Sequence, residues 1–345
     1  MSKKILVTGG MGYIGSHTVV ELQKSGYRAV ILDNLSNSQP GILELITRIT
    51  GVKPEFVNLD MTNQQGLNAF FHNHPDIEGV IHFAAYKAVG ESVEKPLMYY
   101  HNNLGSLVNL LACMQEHPAA SHLVFSSSCT VYGQPENLPV DEQAPVVPAI
   151  SPYGNTKQIS EEIIEDTCRS NALLTAISLR YFNPIGAHES GLLGELPLGV
   201  PNNLVPYITQ TAIGKRNKLT IFGNDYNTPD GTCIRDYIHV SDLARAHVVA
   251  MERMLKKDNK KAHEVFNLGT GTGYSVLEAV QSFERSAGVK LHWGFSARRP
   301  GDVEKVWADT QFANEELGWK AEKGLDKMMS TAWAWEVNLN EGLMG

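Results

Sequence analysis

Ile5-Leu-Val-Thr-Gly9-Gly10-Met-Gly12-Tyr-Ile-Gly15 joins a strand-like apolar run to the start of a helix through a turn dense in glycine. The segment satisfies both Gly-x-Gly-x-x-Gly and Gly-x-x-Gly-x-x-Gly. Gly9, Gly12 and Gly15 permit a tight turn and let backbone N–H groups approach a pyrophosphate at the helix N-terminus. A bare glycine pattern is often only a loop. Here the confirming context is present, with a strand before, a helix after and an acid, Asp33, at the end of the second apolar run. A carboxylate there accepts hydrogen bonds from a ribose diol and repels a 2′-phosphate, so the expected cofactor is NAD rather than NADP. Asp60, after the third such run, is expected near the adenine amino group.

The glycine turn opens a regular alternation. Apolar runs at 5–8, 28–32, 55–58, 79–83, 122–126 and 173–180 read as strands, and helical spacing fills 13–25, 41–50, 63–74, 95–117 and 153–170. Strand and helix in turn predict an α/β chain with a doubly wound parallel sheet, a Rossmann fold. The second half is less regular. Gly and Pro recur over 184–206 and 223–231, and helical patterns return at 204–213, 241–256 and 276–287. The expected division is an NAD-binding domain over 1–182, to which the chain returns around 236–265, and a smaller α/β domain over 183–345.

Composition narrows the classes of function. A formal charge of −8 argues against a nucleic-acid binder, which needs a basic face. The four cysteines (Cys113, Cys129, Cys168, Cys233) form no Cys-x-x-Cys pair, so reduced thiols are expected and neither a disulfide framework nor a metal site. The uncharged run over 5–20 is too rich in glycine for a membrane or signal helix, and a cytoplasmic protein is the expectation.

Ser151-Pro-Tyr153-Gly-Asn-Thr-Lys157 sets a tyrosine and a lysine four residues apart. On a helix these lie on one face, about 6 Å apart along the axis. An ammonium beside a phenol favours the phenolate, so Lys157 is expected to pull the Tyr153 pKa down from roughly 10. Bringing it near 7 takes roughly 4 kcal/mol, of which one lysine supplies part and a cationic cofactor ring more. A phenol tuned this way acts as a general base.

With a dinucleotide fold in place, Tyr153 and Lys157 resemble the active-site pair of the short-chain dehydrogenase/reductase family. Ser128, in Phe125-Ser-Ser-Ser128-Cys-Thr-Val-Tyr-Gly133, matches its third member. Further stretches resemble the extended, nucleotide-sugar branch and, within it, the UDP-glucose 4-epimerase family. They are Val7 to His17, His82 to Ser92, Arg180 to His188, Asn202-Asn203-Leu, Arg235 to Val240 and Arg298-Arg299-Pro-Gly-Asp302.

The resemblance implies an NAD site lined by Tyr13, Ile14, Asp33, Asn34, Asp60, Met61, Phe83, Ala84, Lys87, Asn102 and Phe182, with Ser128, Tyr153 and Lys157. The neighbouring Asn103 stays open as an alternative to Asn102. It implies that Asn183, Asn203, Arg235, Arg299, Asp302 and Val306 hold a UDP-sugar, with Ser128 and Tyr153 at its C4 hydroxyl. Transient oxidation at C4 would interconvert UDP-glucose and UDP-galactose, a step of galactose metabolism. Val306, where a tyrosine restricts the sugar's C2 side in other members, implies room for UDP-GlcNAc and UDP-GalNAc. A nucleotide-sugar dehydratase or reductase is the alternative, disfavoured by the absence of a carboxylate just after Ser128 and by Asp33. The family also implies a homodimer through the helices at 95–117 and 153–170, using Leu104, Leu107, Leu110, Leu111, Met114, Ile159, Ile163 and Ile164.

Overall fold

The computed structural model describes residues 2–299 and 302–344; Pro300 and Gly301 of the Arg-Arg-Pro-Gly-Asp motif lie outside the described residues. The strands are β1 (Lys4–Thr8), β2 (Arg28–Asp33), β3 (Glu55–Asn58), β4 (Ile77–His82), β5 (His122–Ser128), β6 (Thr175–Tyr181), β7 (Asn183–Ile185), β8 (Leu219–Phe222), β9 (Ile234–His239), β10 (His263–Leu268), β11 (Gly273–Ser275), β12 (Trp293–Ser296) and β13 (Lys305–Val306). The helices are α1 (Tyr13–Lys24), α2 (Ile42–Thr50), α3 (Gln64–Asn73), α4 (Val89–Glu94), α5 (Pro96–Glu116), α6 (Pro152–Ser170), α7 (Leu204–Ala212), α8 (Val240–Leu255), α9 (Val276–Ala287) and α10 (Leu325–Asn340).

Seven strands form one sheet in the order β10-β6-β5-β4-β1-β2-β3, with every pairing parallel. Both faces are covered, which is why the strands read as continuous apolar runs rather than as alternation. Ile5 and Val7 face α1, α2 and α8 in one core cluster. Leu6 faces α3, α5 and α6 in the other. The order reverses between β1 and β4, and the crevice beyond their carboxyl ends is where open α/β sheets bind ligands.

A second layer is built around β9, which pairs parallel with β7 and β13 and antiparallel with β11. Strands β8 and β12 pair parallel beside it. Helices α7, α9 and α10 close this lobe over a core containing Ile208, Phe283 and Met328.

Several boundaries differ from the sequence reading. The helix expected at 95–117 is α5; a separate short helix, α4, which the sequence reading did not include, precedes it, and Lys95, before Pro96, breaks the two apart at φ −129°, ψ 56°. β9 belongs to the second layer, so the segment that lies on the large sheet is α8 followed by β10. β10 and α10 carry no expectation from sequence.

Leu107, Leu110, Leu111, Met114 and Ile164 are consumed by the sheet core. The outward apolar surface of this helix layer is instead Val93, Leu97 and Val108. Among the described residues, no helix is long and apolar enough to cross a membrane. Nor do three or more His, Cys, Asp or Glu cluster as metal ligands.

Candidate active site

The turn after β1 is shaped by the lack of side chains. Gly9 sits at φ +67°, and a Cβ there would lie 2.8 Å from the Ala84 backbone nitrogen after β4. A Cβ on Gly15 would overlap the Gly9 carbonyl. Gly12 caps α1 without a side chain, so the first N–H groups of the helix keep donors for an anion.

Asp33 closes this turn, its carboxylate accepting from the Met11 N–H at 3.1 Å, the Leu35 N–H at 2.8 Å and the Ser38 hydroxyl at 3.0 Å. Asp60 lies alongside, receiving the Asn34 amide at 2.9 Å and both donors of Thr62. Burial opposes ionisation of Asp60, but these donors outweigh it and hold its carboxyl below the usual range. Met61 is buried in the adjoining core, and Ile14 packs against the opposite one. Phe83 meets the His247 ring at a tilt, with ring centres 4.6 Å apart. Tyr13 spans to the second lobe, its hydroxyl donating to the Gly186 carbonyl at 2.6 Å. A glycine cradle, open helix N–H groups and a carboxylate at the β2 end together fit a dinucleotide without a 2′-phosphate.

Ser128 ends β5, and Tyr153 and Lys157 rise from the first turns of α6. The α6 start is fixed locally: the Ser151 hydroxyl accepts from the Gly154 N–H at 3.2 Å, and Pro152 occupies the first helical turn. All three side chains are buried. Ser128 also caps the short 3₁₀ turn Cys129–Tyr132, accepting the Thr130 N–H at 3.2 Å.

The electrostatics differ from the sequence expectation. Burial raises the Tyr153 pKa well above its ordinary value; the nearby Tyr181 adds to this, and the Ser128 hydroxyl opposes it. Lys157 does not bring it down, because its ammonium donates to the Ser126 carbonyl at 2.6 Å and stands 5.9 Å from the Tyr153 ring centre. The lysine itself is pushed down to about 8 by burial, against the pull of Glu161. The protein alone therefore keeps Tyr153 as a neutral phenol.

Asn103 is saturated. It exchanges hydrogen bonds with the Tyr86 backbone, donates to Thr156 Oγ1 at 3.1 Å and accepts the Asn102 amide at 3.0 Å. Asn102 is the neighbour with capacity to spare. Lys87 and Asn203 come from different lobes and meet on one carboxylate oxygen of Glu195, at 3.2 and 2.6 Å.

Across the cleft, Arg235 on β9 and Arg299 converge on Asp302. Arg299 donates to it at 2.7 Å, and Arg235 lies 3.9 Å away. Val306 is Arg235's register partner and packs in a buried cluster with Val131, Tyr132 and Phe182. Asn183 opens β7 beside Tyr237. Phe222 is a residue the sequence reading passed over: it is exposed at the end of β8, with the Arg299 guanidinium 5.9 Å from its ring centre. Glu195 and Phe222 lie in no local motif; only the folded cleft gathers them with the arginines and Lys87.

A family model described as GDP-mannose 4,6 dehydratase matches residues 6–332. The UDP-glucose 4-epimerase of Pongo abelii is 49% identical over 342 residues, covering 97% of either chain. The chain belongs to the UDP-glucose 4-epimerase family.

Solved structures of that family agree with the fold. The UDP-glucose 4-epimerase of Stenotrophomonas maltophila, with bound NAD and formylated UDP-arabinopyranose, superposes with a TM-score of 0.94 at 45% identity over 98% of this chain and 99% of that one. That of Bifidobacterium longum, in complex with NAD⁺ and UDP, gives 0.93 at 44% identity over 99% and 100%. Cys129 and Thr130 follow Ser128 here, so the two positions after Ser128 hold no carboxylic acid.

Proposed function

We propose that the chain is a UDP-hexose 4-epimerase that interconverts UDP-glucose and UDP-galactose with NAD held throughout the cycle. The observation that carries this reading is the buried trio Ser128, Tyr153 and Lys157 on the same sheet end as the glycine cradle. Gly9, Gly12, Gly15 and the α1 N-terminus meet the pyrophosphate, Asp33 meets the adenosine ribose, and Asn34, Asp60 and Met61 face the adenine. Tyr13, Ile14, Phe83, Ala84, Lys87, Asn102 and Phe182 complete the cofactor's surroundings. The chemistry NAD supplies when bound is reversible hydride acceptance from C4.

The rest falls to the protein. Tyr153 takes the proton of the sugar's 4-hydroxyl while Ser128 holds the same oxygen. Burial disfavours the phenolate, so proton transfer depends on positive charge close to Tyr153. Lys157 provides one such charge, fixed to the Ser126 carbonyl. Arg235 and Arg299 grip the diphosphate by charge-assisted hydrogen bonds, with Asp302 holding the pair in place. Phe222 offers a stacking face to the base, and Asn183 and Asn203 bind the sugar and its phosphates. Binding energy drawn from the nucleotide leaves the hexose free to present either face, and Tyr153 returns the proton to the opposite one.

Residues 1–182 with the return through α8 and β10 serve the cofactor, and the remainder serves the UDP-sugar. Val93, Leu97 and Val108, with the half-buried Leu104, Ile159 and Ile163, support a homodimer through α5 and α6. Free thiols support a reducing compartment, the cytoplasm.

Purified protein given UDP-galactose and no added cofactor should form UDP-glucose to equilibrium without free NADH. Absence of turnover, or net consumption of reduced cofactor, refutes the reading.

A further inference from the structure

One helical turn beyond Lys157, on the same face of α6, Glu161 is buried. The Ser127 hydroxyl donates to its Oε1 at 2.5 Å, and Arg180 donates Nε at 3.0 Å and Nη2 at 2.6 Å. Arg180 in turn donates Nη1 to the Tyr132 hydroxyl at 2.9 Å, and that hydroxyl donates to Asn267 Oδ1 at 2.7 Å. A buried ion pair with its remaining donors and acceptors met is costly to assemble and fixed in place once formed.

The network adjoins the reaction centre through consecutive strand residues. Ser126 accepts from Lys157, Ser127 donates to Glu161, and Ser128 lies against Tyr153. The groups facing the Lys157 ammonium come from several elements. Helix α6 contributes Tyr153 and Glu161. From β4 comes His82, kept neutral by burial and bonded to Thr8. From β5 come the Phe125 ring, 4.8 Å from Nζ, and the Ser126 carbonyl. Arg180 on β6 stands behind Glu161. Among these described residues, Glu161 is the carboxylate.

We propose that Glu161 is a positioning residue for epimerisation: held by Ser127 and Arg180, it keeps the Lys157 ammonium charged inside the core and so sets the alkaline limit of catalysis. The proposal rests on the reading of Tyr153 and Lys157 as the reaction centre. Burial drives Lys157 down to about 8 while Glu161 pulls the other way. Deleting the carboxylate therefore makes the ammonium lose its proton at lower pH.

The test compares wild-type and Glu161→Gln holoenzymes in two readouts. One is kcat for UDP-galactose from pH 6 to 10. The other is the pH titration of the Lys157 ¹³Cε resonance, assigned by its absence in Lys157→Arg. The alkaline limb and the Lys157 midpoint should both fall by about one pH unit, with kcat at pH 6.5 within about threefold of wild type. Because Glu161→Gln orphans Arg180, Glu161→Gln/Arg180→Met is made in parallel; it leaves no orphaned guanidinium, and a downward displacement of the Lys157 midpoint is again expected.

An unmoved limb and midpoint in whichever variant folds overturns the proposal. So does an equal loss of kcat at every pH, the mark of a purely structural role. If the wild type does not turn over UDP-galactose, the functional reading fails instead, and the resonance titration still reports whether Glu161 holds the Lys157 charge.

Discussion

Lys157 donates its ammonium to the backbone carbonyl of Ser126 at 2.6 Å, which ties α6 to the strand that ends in Ser128. The tie fixes the distance between the lysine and the Tyr153 ring, centre to nitrogen, at 5.9 Å. The Lys157 ammonium thus spends this hydrogen bond on the strand rather than on the phenol. Because a single strand end carries both Ser128 and the lysine's anchor, a shift of helix against strand would misplace Ser128, Tyr153 and Lys157 together.

Tyr153→Phe removes one hydroxyl from a buried ring and leaves the ring's packing intact. The expected result is a kcat lower by about 10²–10⁴ with NAD still bound, since only the proton carrier is lost. Steady-state kinetics and the cofactor content of the purified variant check it. Activity near that of the wild type would remove Tyr153 from the mechanism.

Gly9→Ala tests the cradle. The residue sits at φ +67°, and the added methyl would meet the Ala84 nitrogen at 2.8 Å. The left-handed backbone alone costs an alanine about 1–2 kcal/mol, and the clash with main chain adds to that. The variant should purify with most of its NAD lost and a lowered thermal midpoint. A full complement of NAD, released on denaturation, would contradict the assignment of this turn.

Four buried histidines give the fold an acid-side weakness. Burial holds His17 and His82 down to about 3, and His239 and His247 down to about 4. In the unfolded chain each titrates near 6.5, so between pH 6.5 and about 4 the unfolded state binds protons that the folded state refuses. Stability therefore falls as pH falls through this window, by up to about 1.4 kcal/mol per histidine per pH unit. Urea midpoints at pH 7.5, 6.5 and 5.5 should fall modestly from the first value to the second and clearly further at the third. Asp60, whose carboxyl is held below its usual range, acts only at lower pH. A midpoint unchanged down to pH 5.5 would show that these histidines become charged in the folded state.

What the sequence made legible was whatever chemistry runs along a few contiguous residues. The glycine turn, Asp33 at the end of β2 and the four-residue step from Tyr153 to Lys157 are all local. Buried parallel strands are apolar on both faces, so β1 and β4 stood out without a structure. The break at Pro96 was written in the chain as well, because a residue before proline leaves the helical region. Helical spacing gives proximity but not depth: it brought Lys157 near Tyr153 but could not reveal that burial raises the pKa of the phenol. Arg235 and Arg299 meet at Asp302 only because β9 and the segment before β13 are brought together by the second layer. The joining of β10 to β6 likewise needs the chain to cross that lobe and come back.

Val306 carries the last prediction, on the choice of sugar. It lies in β13 beside Arg235, in the cluster that includes Phe182 and Val131, three residues past Ser128. On the proposed placement of the UDP-sugar, a small side chain there would leave space on the C2 side of the hexose. Wild-type protein should turn over UDP-GlcNAc as well as UDP-galactose. Val306→Tyr fills the space: UDP-GlcNAc turnover should fall by about tenfold or more, and UDP-galactose turnover should change far less. The tyrosine also has to fit a packed cluster, where excess volume costs about 1–3 kcal/mol. Comparing the two substrates within the one variant cancels that loss, since unfolding lowers both rates equally. No UDP-GlcNAc turnover in the wild type, or an equal fall for both sugars in the variant, would reduce Val306 to packing.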